Sequence, residues 1–220
     1  PQSLSRDGHF HAPWHDADLL ISQTCGFPFT HQFRDRLQLL ATPCYSVAGC
    51  AGADYSSAII ARRGDGRAIL ADPSRFTAAV NSADSQSGYW ALRAFLANHG
   101  NGAPARLVRS GGHRPSLRMV AAGDADLAAV DAVCIALAGR HEAEAMTRIE
   151  IIGWSPPAPG LPFVTSLVRD LQQRMLLVKA LRSAVIAPQL EDARQAMFLA
   201  DVVELPAVAY DRIIELERQA

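Results

Sequence analysis

The sequence predicts an α/β protein of two lobes, each a mainly parallel sheet flanked by helices, with a ligand cleft between them. Three observations predict it. A strand, loop and helix pattern recurs three times between about residues 66 and 155. Short apolar runs that read as strands precede it, and a proline-rich stretch after it leads into amphipathic helix that needs a sheet to cover. Packing those last helices on the first strands makes one lobe from residues 1–63 and 161–220, and a second from residues 64–160.

The opening PQSLSRDGHFHAPWHD is polar, broken by Gly8 and Pro13, and reads as connection. His9, His11 and His15 lie close together in it, but a metal site needs three or four converging ligands with a supporting shell, so a solvated surface and no metal are expected. DLLIS (residues 18–22) reads as a short buried strand that turns at residues 23–26. LQLLATP follows, stopped by Pro43, and then SSAIIARR (residues 56–63), entered through the loop VAGCAGADY and left through Gly64, Asp65 and Gly66. These are the strands expected for the first lobe.

In the repeating region FTAAV leads to SQSGYWALRAFLANHG, ARLVRS to GGHRPSLRMVAAG, and DLAAVD to AVCIALAGRHEAEAM. A short strand feeding a helix of ten or more residues is the pattern of parallel units joined by right-handed crossovers. His99 with Gly100, and Gly123, read as helix stops, and Pro115 falls in a first helical turn that tolerates it. Residues 155–162, SPPAPGLP, are too rich in proline for a helix or a central strand and read as a stiff crossing. The remainder is read as mostly amphipathic helix, with Leu171, Met175, Val178 and Leu181 at core spacing.

Bulk composition narrows the function. With 49% hydrophobic residues, 21 basic and 22 acidic side chains and a net charge of −1, there is no global electrostatic case for nucleic acid or an anionic membrane. The basic residues are dispersed and no DNA-reading helix pair is visible. No apolar run approaches the roughly 20 residues of a membrane span, so no membrane insertion is expected. The chain opens on Pro1 with no leader pattern, which says little about compartment. Cys25, Cys44, Cys50 and Cys134 show no metal-finger spacing; Cys44 and Cys50 are near enough in sequence to pair in an oxidising compartment, and free thiols are equally compatible.

Ligands of open parallel sheets sit outside the carboxyl ends of the strands. The residues that follow the strands are Ser85, Gln86, Ser87 and Gly88, then His113, then Asp131; from the first lobe Thr24 and Cys25 follow the first strand and Tyr55 precedes the third. Hydroxyls and bare amides at a helix start suit an anion, because the first N–H groups of a helix have no internal partner and the dipole is positive there. Ser85 or Ser87 can equally serve as a plain helix cap, as can His113 and Asp131. No Walker lysine and no G-x-G-x-x-G fingerprint is present, so a small oxyanion is expected rather than a nucleotide, with no cofactor.

The segments VNSADSQSGY, SGGHRPSLRMVAAGDADLAAVD and DYSSAIIARR resemble, in order and spacing, the phosphate/phosphonate solute-binding proteins of ABC transporters, within the type 2 periplasmic binding proteins. The resemblance covers the second lobe and its entry. It implies a two-lobed clamp closing on a phosphonate- or phosphate-like ligand, working with a membrane permease in the periplasm. Ser85, Gln86 and Ser87 would hold the oxyanion, His113 would donate to it and Tyr55 would contribute from the facing lobe, while Asp131 would accept a proton from the phosphoryl oxygen or pair with a ligand amine. The family's first strand–helix unit has no counterpart before Asp18, and QTCGFPF departs from its usual facing wall. Two rival readings stand beside it: the ligand-sensing domain of a regulator, and an enzyme with Cys25 as nucleophile and His113 as base.

Overall fold

The computed structural model describes residues 11–100 and 102–220; His9 lies outside them. In chain order the elements are β1 (Ser22–Gln23), α1 (Gly26–Pro28), β2 (Leu37–Tyr45), β3 (Cys50–Ala51), β4 (Asp54–Tyr55), β5 (Ser57–Arg62), α2 (Gly66–Ala71), β6 (Thr77–Val80), α3 (Ala91–Asn98), β7 (Arg106–Arg109), α4 (His113–Ala122), β8 (Leu127–Asp131), α5 (Ala132–His141), α6 (Ala143–Arg148), β9 (Ile149–Trp154), β10 (Ala158–Pro159), β11 (Phe163–Ser166), α7 (Leu171–Ile186), α8 (Glu191–Ala196), β12 (Leu199–Val203) and α9 (Asp211–Gln219).

A five-stranded sheet in the order β7-β6-β8-β5-β9 forms the middle of the molecule. Its interior strands are apolar along their centres, with Ser57, Arg62, Thr77 and Asp131 only at strand ends, because both faces are covered. Ala58, Ile60, Ala79, Ala128 and Val130 point to one face and meet Leu117 and Val120 of α4 and Ile135 of α5. The alternate residues Ile59, Ala61, Ala78, Leu127 and Ala129 point to the other and meet Leu92, Phe95 and Leu96 of α3. Fully burying one such isoleucine or leucine contributes roughly 1.5–3 kcal/mol. All three sequence-read α/β units are here, and α4 ends at Gly123 in the left-handed region (φ 88°), as a glycine stop should.

SSAIIARR was expected with the first strands, but β5 lies in this sheet, antiparallel to both β8 and β9. The chain therefore changes sheet before Ser57, not at Gly64. The other main sheet, β1-β11-β2-β12, is antiparallel throughout, not mainly parallel. Two of its strands, β11 and β12, fall in the stretch read as crossing and helix. DLLIS supplies only the two-residue β1, with Leu20 and Ile21 exposed. Strand β2 runs past Pro43, whose half of the strand is paired to β12, while β11 pairs the half before it; one-sided pairing tolerates a missing N–H.

Two crossings join the sheets side by side: β4 pairs antiparallel with β10 of the proline-rich stretch, Tyr55 opposite Ala158, and Ser57 N–H donates to Ser155 Oγ at 2.9 Å. The core beside the antiparallel sheet gathers Trp14, Phe29, Phe33, Tyr55, Tyr210 and Ile213. Trp14 is thus core rather than connection, donating from Nε1 to Ser22 Oγ at 3.2 Å. His15 packs edge-on against Phe33, and His11 stacks on Trp14. On α7 the expected face is only half right. Val178 and Val185 are buried and Leu181 packs with Ala41 and Val202, but Leu171 and Met175 are 68% and 61% exposed. Periodicity marks a face of the helix, not where the sheet beneath it ends.

Candidate functional site

The loop after β6 enters a short helical turn, Gln86–Trp90, that runs into α3. Ser85 caps it, its Oγ accepting from Gly88 N–H at 3.0 Å. Gly88 is required for close approach: a Cβ there would lie 2.5 Å from the Asn81 side chain. Asn81 in turn accepts from Ser116 Oγ at 3.1 Å, and Ser116 meets Ser110 Oγ at 2.6 Å, so the loops after β6 and β7 are tied together. Asn81 and Ser116 are positioning residues to which the sequence reading assigned no role.

This framework brings Ser87 to His113, the first residue of α4, with Oγ and Nε2 2.7 Å apart. The amide of Asp131 donates to Nδ1 of the same ring at 3.4 Å. When Nδ1 accepts, Nε2–H donates to Ser87 and leaves the serine proton free to bond a ligand. In the other tautomer, with Nδ1–H turned to the Ala129 carbonyl, Ser87 spends its proton on the ring. An anion selects the first. Asp131 itself caps α5, accepting from Val133 and Cys134 N–H at 2.8 and 3.1 Å.

From β4, in the small three-stranded sheet β10-β4-β3 at the crossing between the main sheets, Tyr55 comes to the same place. Its hydroxyl is buried without a hydrogen-bond partner. Burial pushes the phenol well up, the charges of Cys25 and Asp131 add to that, and the nearby Ser87 hydroxyl acts against it without reaching hydrogen-bonding geometry. Gln86 Oε1 is likewise buried and unpartnered. The amides of Gln86 and Phe27 face the Cys25 thiol, but burial outweighs them and raises it. Thr24 is buried with its hydroxyl turned to the Cys25 carbonyl at 3.2 Å, a local role. The structure thus gathers Gln86, Ser87, His113 and Asp131 from the five-stranded sheet and its loops, Cys25 from the turn after β1 and Tyr55 from β4 of the crossing, while Ser85, Gly88 and Thr24 shape the backbone around them. His113 has Ser87 and the Asp131 amide on its two nitrogens, so it does not form the Cys25–His113 pair that a thiol enzyme would need.

The facing walls meet again at the flanks. Phe27 stacks on Trp90 with centroids 5.2 Å apart, and Arg140 lies 3.8 Å over the Phe198 ring while donating to the Gln195 and Ala196 carbonyls. None of these was read from sequence.

Burial of the His113 ring lowers its pKa below the ordinary 6.5, with the Asp131 charge opposing. Below that value the unfolded chain takes up a proton that the folded ring resists, so this contribution to stability is complete above pH 6.5 and is lost as pH falls toward the folded value. Glu142, lowered by Arg118 and Arg114, loses its contribution only below its ordinary 4.5. The melting temperature is therefore expected to fall between pH 6.5 and 4.5, and His113→Gln to flatten that limb; an unchanged limb in the variant would assign it to other groups.

A family model described as the periplasmic substrate-binding protein of phosphonate ABC transporters matches residues 16–201. Among solved structures, the chain is similar to a binding protein component of an ABC phosphonate transporter from Pseudomonas aeruginosa (TM-score 0.77, 18% identity, 96% of this chain and 71% of that one). It is also similar to PhnD1 of Prochlorococcus marinus in complex with methylphosphonate (TM-score 0.75, 13% identity, 96% and 82% covered). A Xanthomonas citri protein bound to ATP is similar at TM-score 0.65 and 18% identity, over 90% and 75% of the two chains. These identities speak for a shared fold. No curated protein sequence matches the chain closely enough to count as a relative.

Proposed function

Because the chain belongs to the family of periplasmic substrate-binding proteins of phosphonate ABC transporters, we propose that it clamps a small phosphonate- or phosphate-like oxyanion between its two sheets and delivers it to a membrane permease from the periplasm. Among the described residues no helix is long and apolar enough to cross a membrane. The observation that carries the ligand reading is the Ser87–His113 pair at a helix start, near the unpartnered hydroxyl of Tyr55 on the crossing strand β4.

Each buried polar atom without a partner costs about 1–3 kcal/mol, so Tyr55 and Gln86 favour an occupant that can bond to them. Ser87, Tyr55 and the helix-start amides are neutral donors; Gln86 Oε1 and the Asp131 carboxylate are acceptors. The oxyanion that suits this mixture carries a proton on one oxygen or an amine on its organic arm. Charge-assisted hydrogen bonds contribute roughly 1.5–3 kcal/mol each, and a handful reaches the about 8 kcal/mol of micromolar affinity after the cost of closure.

Calorimetry and thermal unfolding with phosphate, methylphosphonate and 2-aminoethylphosphonate test the reading. At least one is expected to bind with measurable heat and raise the unfolding temperature. Silence with all three would overturn the ligand assignment while leaving the family intact.

A further inference from the structure

A hollow also opens beside His113. Between α4 and α5, over β8, lies a cavity of about 510 Å³. Such a volume suits a small organic molecule. Its walls are Leu117, Val130, Leu137 and Ala138, which offer a hydrocarbon chain a dry surface. Its polar edge carries Arg114, His141 and Glu142, and Arg118 stands just outside the lining, bonded to Glu142.

The charge at that edge is not balanced. The Glu142 carboxylate accepts from Arg114 Nε and from Arg118 Nε and Nη2, the latter two at 3.1 and 2.8 Å. One carboxylate thus serves two guanidiniums, leaving one positive charge in excess. The neighbouring Glu144 and Arg148 pair with each other and cancel. Arg114 and Arg118 are 64% and 56% exposed at the side chain, with fork donors to spare for a second carboxylate. Both arginines hold Glu142 ionised, so the excess stays at one charge.

We infer that this cavity binds a small amphiphilic monoanion, a carboxylate on a short unbranched hydrocarbon chain, with the chain between α4 and α5 and the carboxylate on Arg114 and Arg118. The site is separate from the oxyanion site and does not rest on the function proposed for it. The two share His113, which is among the residues lining the cavity, whereas Ser87, Gln86 and Tyr55 are not.

Sodium octanoate is the probe, with octan-1-ol and octylamine as controls of equal chain length. Calorimetry is expected to show saturable 1:1 binding of octanoate, weakened roughly tenfold by Arg118→Gln, which removes a charged hydrogen-bond donor at an exposed position. Leu137→Trp, which fills the cavity, is expected to abolish binding; should it fail to fold, Arg118→Gln decides. Binding must persist in Ser87→Ala. No octanoate binding, binding indifferent to Arg118→Gln, or equal binding of octylamine or octan-1-ol overturns the inference. Loss of octanoate binding in Ser87→Ala also overturns it, since the probe would then occupy the oxyanion site.

Discussion

Ser87→Ala is expected to weaken oxyanion binding by about tenfold or more while lowering stability by no more than about 1–3 kcal/mol. The free energy behind this is that of one charge-assisted hydrogen bond, roughly 1.5–3 kcal/mol, against 1.4 kcal/mol per decade of affinity. The fold is kept because the helix cap at this turn is Ser85, not Ser87. The serine's other partner, His113 Nε2, keeps the Asp131 amide on its opposite nitrogen. The ring is therefore still held at Nδ1, while its buried Nε2 loses a partner, at a cost of about 1–3 kcal/mol, together with the donor aimed at the ligand. Titration calorimetry with the best of the three oxyanions checks the affinity, and differential scanning fluorimetry checks the fold. Unchanged affinity would remove Ser87 from the site; a collapse of the unfolding temperature would make it structural. Ser85→Ala should leave oxyanion affinity nearly unchanged, with the cap lost at about 1 kcal/mol.

The parts of this site that sequence made legible are the local ones. A serine-rich loop before a helix and a Gly-Gly-His opening another are visible wherever apolar periodicity changes from two to about 3.6. That Ser87 and His113 touch is not local: they are 26 residues apart and meet because β6 lies between β7 and β8. The same holds for Asn81 and Ser116, which lie 35 residues apart. Asp131 showed both faces of its type, and the structure places its carboxylate on the amides of α5. The pairing of β5 with β8 and β9 was illegible for a similar reason, since an apolar run says that a strand is buried but not beside which neighbours. Strands β11 and β12 are short and flank helices, and their apolar residues also suit a helical face. Leu171 and Met175 erred in the other direction, continuing a helical stripe past the end of its support.

Tyr210→Ala should be among the most damaging substitutions outside the site, at about 3–5 kcal/mol, the range for truncating a buried aromatic. Tyr210 is fully buried, packs edge-on with Phe29 at 5.4 Å, and stands at the entry to α9. Its hydroxyl donates to the Gly160 carbonyl at 2.9 Å and shares a 2.8 Å bond with Thr42 Oγ1. One side chain thereby joins the C-terminal helix, the central strand β2 and the proline-rich crossing between the sheets, three parts of the chain that no local signal connects. Burial raises the phenol, with Thr42 acting against it, so it remains a neutral donor. Tyr210→Phe keeps the ring and loses the bridge, leaving the Thr42 hydroxyl and Gly160 carbonyl short of a partner, and is expected to cost about 1–3 kcal/mol. Leu171→Ala, on the exposed turn of α7, should stay within about 0.5 kcal/mol. Urea denaturation of the three variants measures the order. If Leu171→Ala proves as costly as Tyr210→Ala, then α7 is covered on that face and the core does not centre on Tyr210. If Tyr210→Phe is neutral, the hydroxyl does not hold the crossing, and the ring alone accounts for the loss in Tyr210→Ala.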